Sequence, residues 1–563
     1  MKAKMFDRIL LILLLSSIAF AQQKDFYTNP VMAGFYPDPS ICKAGDSYYL
    51  VNSTFSYYPG IPVFKSENLV NWELIGYVMN RPSQMNLDSL GVSRGIFAPA
   101  IRFNNGVFYV TCTLVDAGGN FVVTAKDPAG PWSDPVWIPQ INGIDPSMFF
   151  DDDNTAYIIY NSIPPDNKPL YDGHRTIRMY EFDLQTMKTA GEEHILINGG
   201  TDISKKPVWI EGPHIYKKDG FYYLMAAEGG TAEQHSEVVF RSKNILGPYE
   251  PYRNNPILTQ RELNPERDNP VTCTGHADMV ETTPGNWWTI FLGCRPYKEN
   301  FFNTGRETFL APVKWIDGWP VIIPGNEEIK YKYPVPVVDR EIKTGYPYSG
   351  NFTVKDDFNK GQLDLNWMFL RNVREKWYNL ADKEGFLSVK LRPETCSGNM
   401  NPSFVARRQQ HIKCEASVSM IFNPAGENEK AGIVIFQNED NYYFLAKTVL
   451  NEKPVICLYK SEKSKEPELL CSREIAAETS MPVELKIKAD GGNYMFSFAV
   501  QPGKWESLKD NADGTFLSTA KAGGFVGCMF GIYTTSSGKL SDNKALFDWF
   551  EYTGDDEVYK QKK

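Results

Sequence analysis

Five times between residues 38 and 293 the chain repeats one pattern, and that recurrence limits the fold more than any single motif does. The segments are DPSICKAGDSYYLV from Asp38, APAIRFNNGVFYVT from Ala98, DPSMFFDDDNTAYIIY from Asp145, EGPHIYKKDGFYYLM from Glu211 and GHADMVETTPGNWWTIFLG from Gly275. Each reads as a strand, a polar turn containing Gly, Asn or Asp, and a second strand rich in aromatic and β-branched residues. A further unit follows each one: VFKSENLVNWE, FVVTAKDPAGPWSD, RMYEFDLQTMKTAG, VVFRSKNILGPYE and FLAPVKWIDGWP. These read as a third strand, a turn and a fourth strand. Four strands repeated five times, at spacings of roughly 45 to 65 residues, describe a five-bladed β-propeller. Helical periodicity is nearly absent, so the fold class is all-β.

The repeats stop near residue 335, assigning residues 22–335 to the propeller, and a Pro- and Tyr-bearing stretch at 336–350 reads as a linker. From 351 to 557 short alternating strands such as CEASVSMIF, VELKIKA and YMFSFAV are separated by turn signals, as expected of a two-sheet, lectin-like β-sandwich. At the N-terminus, Lys2, Lys4 and Arg8 precede an apolar run from Ile9 to Leu15 that ends in Ala19-Phe20-Ala21. Residues 1–21 therefore read as a secretory signal peptide. The run is too short to span a bilayer, and no cysteine follows the cleavage site to accept a lipid, so the expected address is periplasmic or extracellular.

Net charge is -9 over 563 residues, and about -11 once the signal is removed, with no run of Lys and Arg. The charge balance argues against nucleic acid and acidic membrane surfaces as partners, and membrane insertion is not expected. The nine cysteines are scattered among apolar residues without metal-ligand spacing and read as buried small hydrophobes. His174, His194, His235 and His411 have no i,i+4 partner or neighbouring Cys and read as ordinary surface or interface residues.

In a propeller the innermost strand of each blade lines a central channel, so the residues opening the repeats face one axial pocket. They are Asp38, Ala98, Asp145, Glu211 and His276. Singly, an Asp before a Pro caps a turn; three acids opening three separate repeats form a constellation. Glycoside hydrolysis needs such equipment: one acid held protonated for the leaving oxygen, one carboxylate to activate water or attack, and a neighbouring charge that raises the acid's pKa.

The runs YPDPS at 36–40, GIDPSMFFDDD at 143–153 and EGPHIYK at 211–217 resemble the three catalytic blocks of glycoside hydrolase family 43. GHADMVE at 275–281, GRETFLAPVKWIDGWPV at 305–321, PSFVARRQQH at 402–411 and GGFVG at 523–527 resemble its β-xylosidase and α-L-arabinofuranosidase branch, which carries a C-terminal sandwich. The resemblance implies that Asp38 is a general base activating water, Glu211 the general acid and Asp145 the residue that tunes and orients Glu211, with inversion at the anomeric carbon. It implies sugar contacts from Arg306, an aromatic wall at Phe55, and a role for His276, which in relatives orients a water or holds a calcium ion. No cofactor is required on this comparison, and Ca2+ on the axis is the one metal it admits. One departure concerns Gly95-Ile96-Phe97-Ala98-Pro99, where many β-xylosidases read GIWAP, so the wall at Phe97 is smaller. The sandwich is expected to send the loop around Phe525 toward the pocket mouth.

The leading expectation is an exo-acting α-L-arabinofuranosidase working on hemicellulose oligosaccharides, with β-D-xylosidase or a bifunctional enzyme close behind. A non-catalytic glycan-binding propeller would need one of the three acids replaced, and none is. A retaining fructan-acting enzyme would carry a different first block, Asn-Asp-Pro-Asn, which is missing.

Overall fold

The computed structural model describes residues 26–336, 345–463, 466–476 and 481–560; residues 1–21, expected above to be a signal peptide, and residues 337–344 of the expected linker lie outside them. Five antiparallel sheets follow one another along the chain. Blade 1 consists of Ser40–Ala44, Ser47–Val51, Gly60–Ser66 and Glu73–Met79, and blade 2 of Gly95–Asn104, Val107–Val115, Gly119–Ala125 and Val136–Trp137. Blade 3 runs through Gly143–Phe150, Ala156–Ser162, Thr176–Asp183 and Lys188–Asn198. Blade 4 takes Glu211–Lys218, Phe221–Glu228, Ser236–Ser242 and Glu250–Pro251, with Leu258–Thr259 added, and blade 5 takes Thr272–Thr283, Asn286–Cys294, Glu307–Ile316 and Trp319–Val321. Because blades stack face to face, their middle strands are covered on both sides and lose alternation: in Asn286–Cys294 every residue after the first is buried.

The ring is closed without sharing a blade between the two ends of the domain. Phe26–Thr28 pairs with Lys332–Pro334. The Asn29 amide then clasps blade 5, donating to the Leu310 carbonyl (2.8 Å) and accepting from its N–H (2.9 Å).

The second domain is a sandwich of two eight-stranded sheets. Here one face of each sheet meets the core, and Val483–Asp490 alternates between buried and more exposed positions until its end. One of these sheets is completed by the propeller: Tyr57–Tyr58, from the loop between the second and third strands of blade 1, pairs with Met368–Leu370 at the sheet edge. That pairing satisfies an edge that would otherwise be open. A single buried cluster runs from Val63, Ile101 and Phe121 of blades 1 and 2 to Trp367, Phe369 and Ile433 of the sandwich.

Polar ties reinforce the joint. Arg295 is 2% exposed and forks onto Glu307 (2.6 and 2.9 Å) while its third nitrogen reaches Asp556 near the C-terminus (2.8 Å). Glu307 also accepts from the N–H of Gly34 (2.7 Å). A second pair joins buried Arg371 to the partly exposed Glu439, which also accepts from the N–H of Val92 (2.9 Å). No helix among the described residues is long and apolar enough to cross a membrane.

Candidate active site

The innermost strands share one defect. Asp38 (φ 49), Ala98 (φ 27), Asp145 (φ 55), Gly212 (φ 57) and His276 (φ 52) all adopt positive φ. The hydrogen-bond register of blades 2 to 5 slips across the corresponding positions, Phe97/Ala100, Ile144/Ser147, Glu211/His214 and Gly275/Asp278. A bulge of this kind re-aims side chains and recurs next to active sites. It also corrects the alignment drawn from the repeats. The residue of blade 4 equivalent to Asp38 and Asp145 is Gly212, and Glu211 enters the axis from one position earlier. Gly212 is glycine because an added Cβ would lie 2.8 Å from the His276 ring. The aligned prolines Pro39, Pro99, Pro146 and Pro213 carry this register in the sequence itself.

Asp38, Ala98, Asp145, Glu211 and His276 line one cavity of about 320 Å3 with Phe55, Phe97, Arg306 and Phe525. Asp38 is 6% exposed; one of its oxygens accepts from Ser53 Oγ (2.6 Å) and the other lies 3.6 Å from Arg306 Nη1. Asp145 accepts from the N–H of Gly212 (3.2 Å), which couples it to the peptide that follows Glu211. Burial pushes Glu211 up to about 7; Arg306 pulls it down, Asp38 pushes it up and Arg175 pulls it down. Burial likewise raises Asp145 to about 7, opposed by His276 and supported by the charges of Glu211 and Asp38. Two neighbouring carboxyls raised in this way hold a proton at neutral pH between them.

Three phenylalanines from distant parts of the chain form the wall. Phe525, from the sandwich, stacks on Phe55 (centroids 5.9 Å, 19°) and meets Phe97 edge-on (5.7 Å, 81°), while the Arg306 guanidinium lies over its ring at 4.9 Å. The loop that delivers Phe525 is seated tightly. The Phe525 N–H donates to Ser93 Oγ (3.0 Å), and the Cys528 N–H donates to the Asn303 carbonyl (2.8 Å). A Cβ on Gly527 would sit 2.4 Å from the Thr304 carbonyl oxygen, directly before Gly305 and Arg306.

The floor of the cavity is a polar layer one step further along the inner strands. Asp278 is fully buried and accepts from Ser40 Oγ (2.7 Å), the Ile41 N–H (2.9 Å), Tyr216 Oη and both Arg102 terminal nitrogens (2.8 and 3.1 Å). Burial alone would raise its pKa, but Arg102 and the hydrogen bonds hold it well below the usual carboxylate range. His214, pushed down to about 3 by burial, accepts from Arg102 at Nδ1 (2.8 Å) and is neutral. This layer bears on the calcium expectation at His276. Ca2+ takes six to eight oxygen ligands, whereas the nearest non-cavity carboxylate on that strand, Asp278, is saturated by Arg102. Among the described residues no group of three or more His, Cys, Asp or Glu could hold a metal. Protein oxygens beside His276 therefore do not by themselves complete a Ca2+ shell, in which water also serves as ligand.

Sequence reasoning did not place several of the cavity residues, among them Arg94, Asn161, Arg175, Trp209, Thr231 and His235. The histidine reading needs correcting, since His174, His235 and His411 are all buried, at 4%, 2% and 0% exposure. His235 Nδ1 donates to the Cys273 carbonyl (3.1 Å), leaving Nε2 as a buried acceptor without a hydrogen-bond partner among the described residues. Burial, with Arg306 nearby, pushes its pKa down to about 3, so the ring is neutral. Gly275 leaves the room for it, since a Cβ there would be 2.9 Å from Nε2.

A small axial pocket with three carboxylates, a guanidinium and an aromatic wall, on five blades, defines a glycoside hydrolase. The comparison with known families agrees and is more specific. Residues 27–320 match the model of glycosyl hydrolases family 43, and residues 355–553 match the β-xylosidase C-terminal concanavalin A-like domain, so the chain belongs to family 43. It is 40% identical to a xylosidase/arabinosidase of Butyrivibrio fibrisolvens, over 93% of this chain and 98% of that one. It is 37% identical to a non-reducing end α-L-arabinofuranosidase of Bacteroides ovatus, over 97% and 98% of the two chains. The crystal structure of a family 43 protein retrieved from capybara gut metagenome superimposes with a TM-score of 0.84 at 41% identity, covering 92% of this chain and 96% of that one.

Proposed function

We propose that the protein is an inverting exo-α-L-arabinofuranosidase that removes terminal arabinofuranosyl residues from hemicellulose oligosaccharides outside the cytoplasm. The observation that carries the hydrolytic reading is the pair of carboxyls on the axis raised to about 7 beside a third, Asp38, that accepts from Ser53 and faces Arg306. Glu211 donates its proton to the glycosidic oxygen as the bond breaks. Asp38 takes a proton from the water that attacks the anomeric carbon from the opposite face, so configuration inverts. Asp145 keeps the proton on Glu211 and orients it through the Gly212 peptide. Arg306 and the neutral His235 offer a donor and an acceptor to sugar hydroxyls, and His276 lines the same cavity with its ring against Gly212.

Exo action is favoured by a cavity of about 320 Å3, at the small end for ligand sites, with Phe525 across one side. The preference for arabinofuranose rests on Phe97, smaller than a Trp at that wall, and on relatives named for that activity. β-D-Xylosidase is the second reading, since the first of those relatives is named for both sugars. The N-terminal segment supports export. Purified protein assayed on aryl α-L-arabinofuranoside and aryl β-D-xyloside tests the reading: faster release from the former is expected, a preference for the xyloside would reverse the assignment, and inactivity on both would remove the hydrolase.

A further inference from the structure

Beside Glu211 the cavity rim carries an aromatic ring that belongs to none of the buried hydrophobic clusters of the described residues. Trp209 is 38% exposed, lines the cavity and stands two residues before Glu211. Its φ of 45 is a region that costs a bulky residue about 1–3 kcal/mol. The strain is held by clamps on three consecutive residues. The Trp209 N–H donates to the Gly173 carbonyl (2.9 Å) and the Val208 carbonyl accepts from Gly229 and Gly230 (2.9 and 3.2 Å). The Ile210 carbonyl accepts from Asn161 Nδ2 (2.8 Å). Among the described residues the indole joins none of the buried hydrophobic clusters. A strained backbone that holds a large aromatic side chain partly exposed at the cavity rim, outside the buried clusters, points to a use in what the ring receives.

The chemistry at Glu211 says what that is. The acid protonates the glycosidic oxygen, and the leaving sugar hangs from that oxygen, so the leaving sugar occupies the Glu211 side of the cavity. Pyranose rings have an apolar C–H face suited to an aromatic platform, with hydroxyls at the edge left to water. The loops flanking Trp209 carry further exposed apolar side chains. Loops 163–175 and 199–210 are tied together by Tyr171 Oη on the Gly199 carbonyl (3.1 Å). They leave Val208, Ile203 and Leu170 exposed at 40%, 37% and 70%.

We infer that Trp209 is the stacking platform for the first sugar of the leaving group, and that the apolar shelf of Val208, Ile203 and Leu170 supports the units beyond it. The protein's substrates are then pentosides whose leaving group is itself a sugar ring, from a disaccharide upward, rather than small alkyl glycosides. This inference rests on the hydrolase reading above and on Glu211 as the acid.

The test compares a methyl pentoside with the corresponding pentosyl-xylose disaccharide. Methanol and a sugar alcohol are similarly poor leaving groups, but only the second brings a ring to the platform. Wild type should favour the disaccharide in kcat/KM. Trp209→Ala should lower the disaccharide-to-methyl ratio about 3- to 10-fold, the weight of one aromatic contact, chiefly through KM, and Trp209→Phe should keep most of the preference. An unchanged ratio in Trp209→Ala, or an equal fall for both substrates with no recovery in Trp209→Phe, would overturn the platform. Wild type inactive on both would instead sink the hydrolase reading on which it stands.

Discussion

Gly527→Ala tests whether the sandwich domain shapes the active site. The added methyl would approach the Thr304 oxygen, the Thr304 carbon and the Gly305 nitrogen at 2.4, 2.6 and 2.8 Å. All three are backbone atoms and cannot swing aside. Restoring ordinary contact near 3.4 Å requires the two segments to part by about 1 Å. Arg306 follows Gly305, and Phe525 precedes Gly527 by two residues, so the shift separates the guanidinium from the ring that it covers at 4.9 Å. Overpacking of this size costs about 1–3 kcal/mol of stability, which leaves the protein folded, while a misplacement of about 1 Å in a binding group can cost on the order of 10²-fold in rate. The assay is kcat/KM on the best aryl glycoside, with thermal unfolding alongside and Gly361→Ala as control, because a Cβ at Gly361 meets nothing within 4 Å. A Gly527→Ala enzyme within twofold of wild type would refute the idea that the loop positions Arg306.

Two further outcomes are expected. Asp145→Asn removes a like charge beside Glu211 and keeps an acceptor for the Gly212 N–H; since the active acid is protonated and lies at about 7, its pKa falls and activity is lost at lower pH than in wild type, as read from the alkaline limb of kcat/KM. Arg295→Met leaves Glu307 and Asp556 buried without their cation and should lower stability by about 3–5 kcal/mol in chemical denaturation, with partial recovery in Arg295→Met/Glu307→Gln.

What could be read from the chain follows from how local each feature is. The five blades were legible because each is a contiguous run of four strands with its own turns, and the alternation of the sandwich was legible for the same reason. The offset of Glu211 was less so: three acids at the openings suggested equivalence, and only the prolines aligned at Pro39, Pro99, Pro146 and Pro213 reveal that Gly212 holds the strained position. The floor of the site depends on pairs such as Arg102 with Asp278, 176 positions apart, and neither residue type nor spacing announces such a contact. His235 looked ordinary because its significance lies in what it lacks among the described residues, a partner for Nε2 inside a buried cavity. Tyr57–Tyr58 is too short a strand to signal that it completes a sheet in the other domain.

The central claim is the division of labour between Glu211 and Asp38, and leaving-group dependence tests it most directly. A sugar alkoxide must be protonated as it departs, a contribution of roughly 10²- to 10⁴-fold from the general acid, whereas a nitrophenolate leaves without help. With kcat/KM measured on a natural oligosaccharide and on a nitrophenyl glycoside, Glu211→Ala is predicted to lose most of its activity on the oligosaccharide and far less on the aryl substrate. Asp38→Ala, deprived of the group that prepares the water, is predicted to lose activity on both by similar factors. Leaving-group dependence in Asp38→Ala and not in Glu211→Ala would reverse the roles, and full activity in both variants would place the chemistry elsewhere in the molecule.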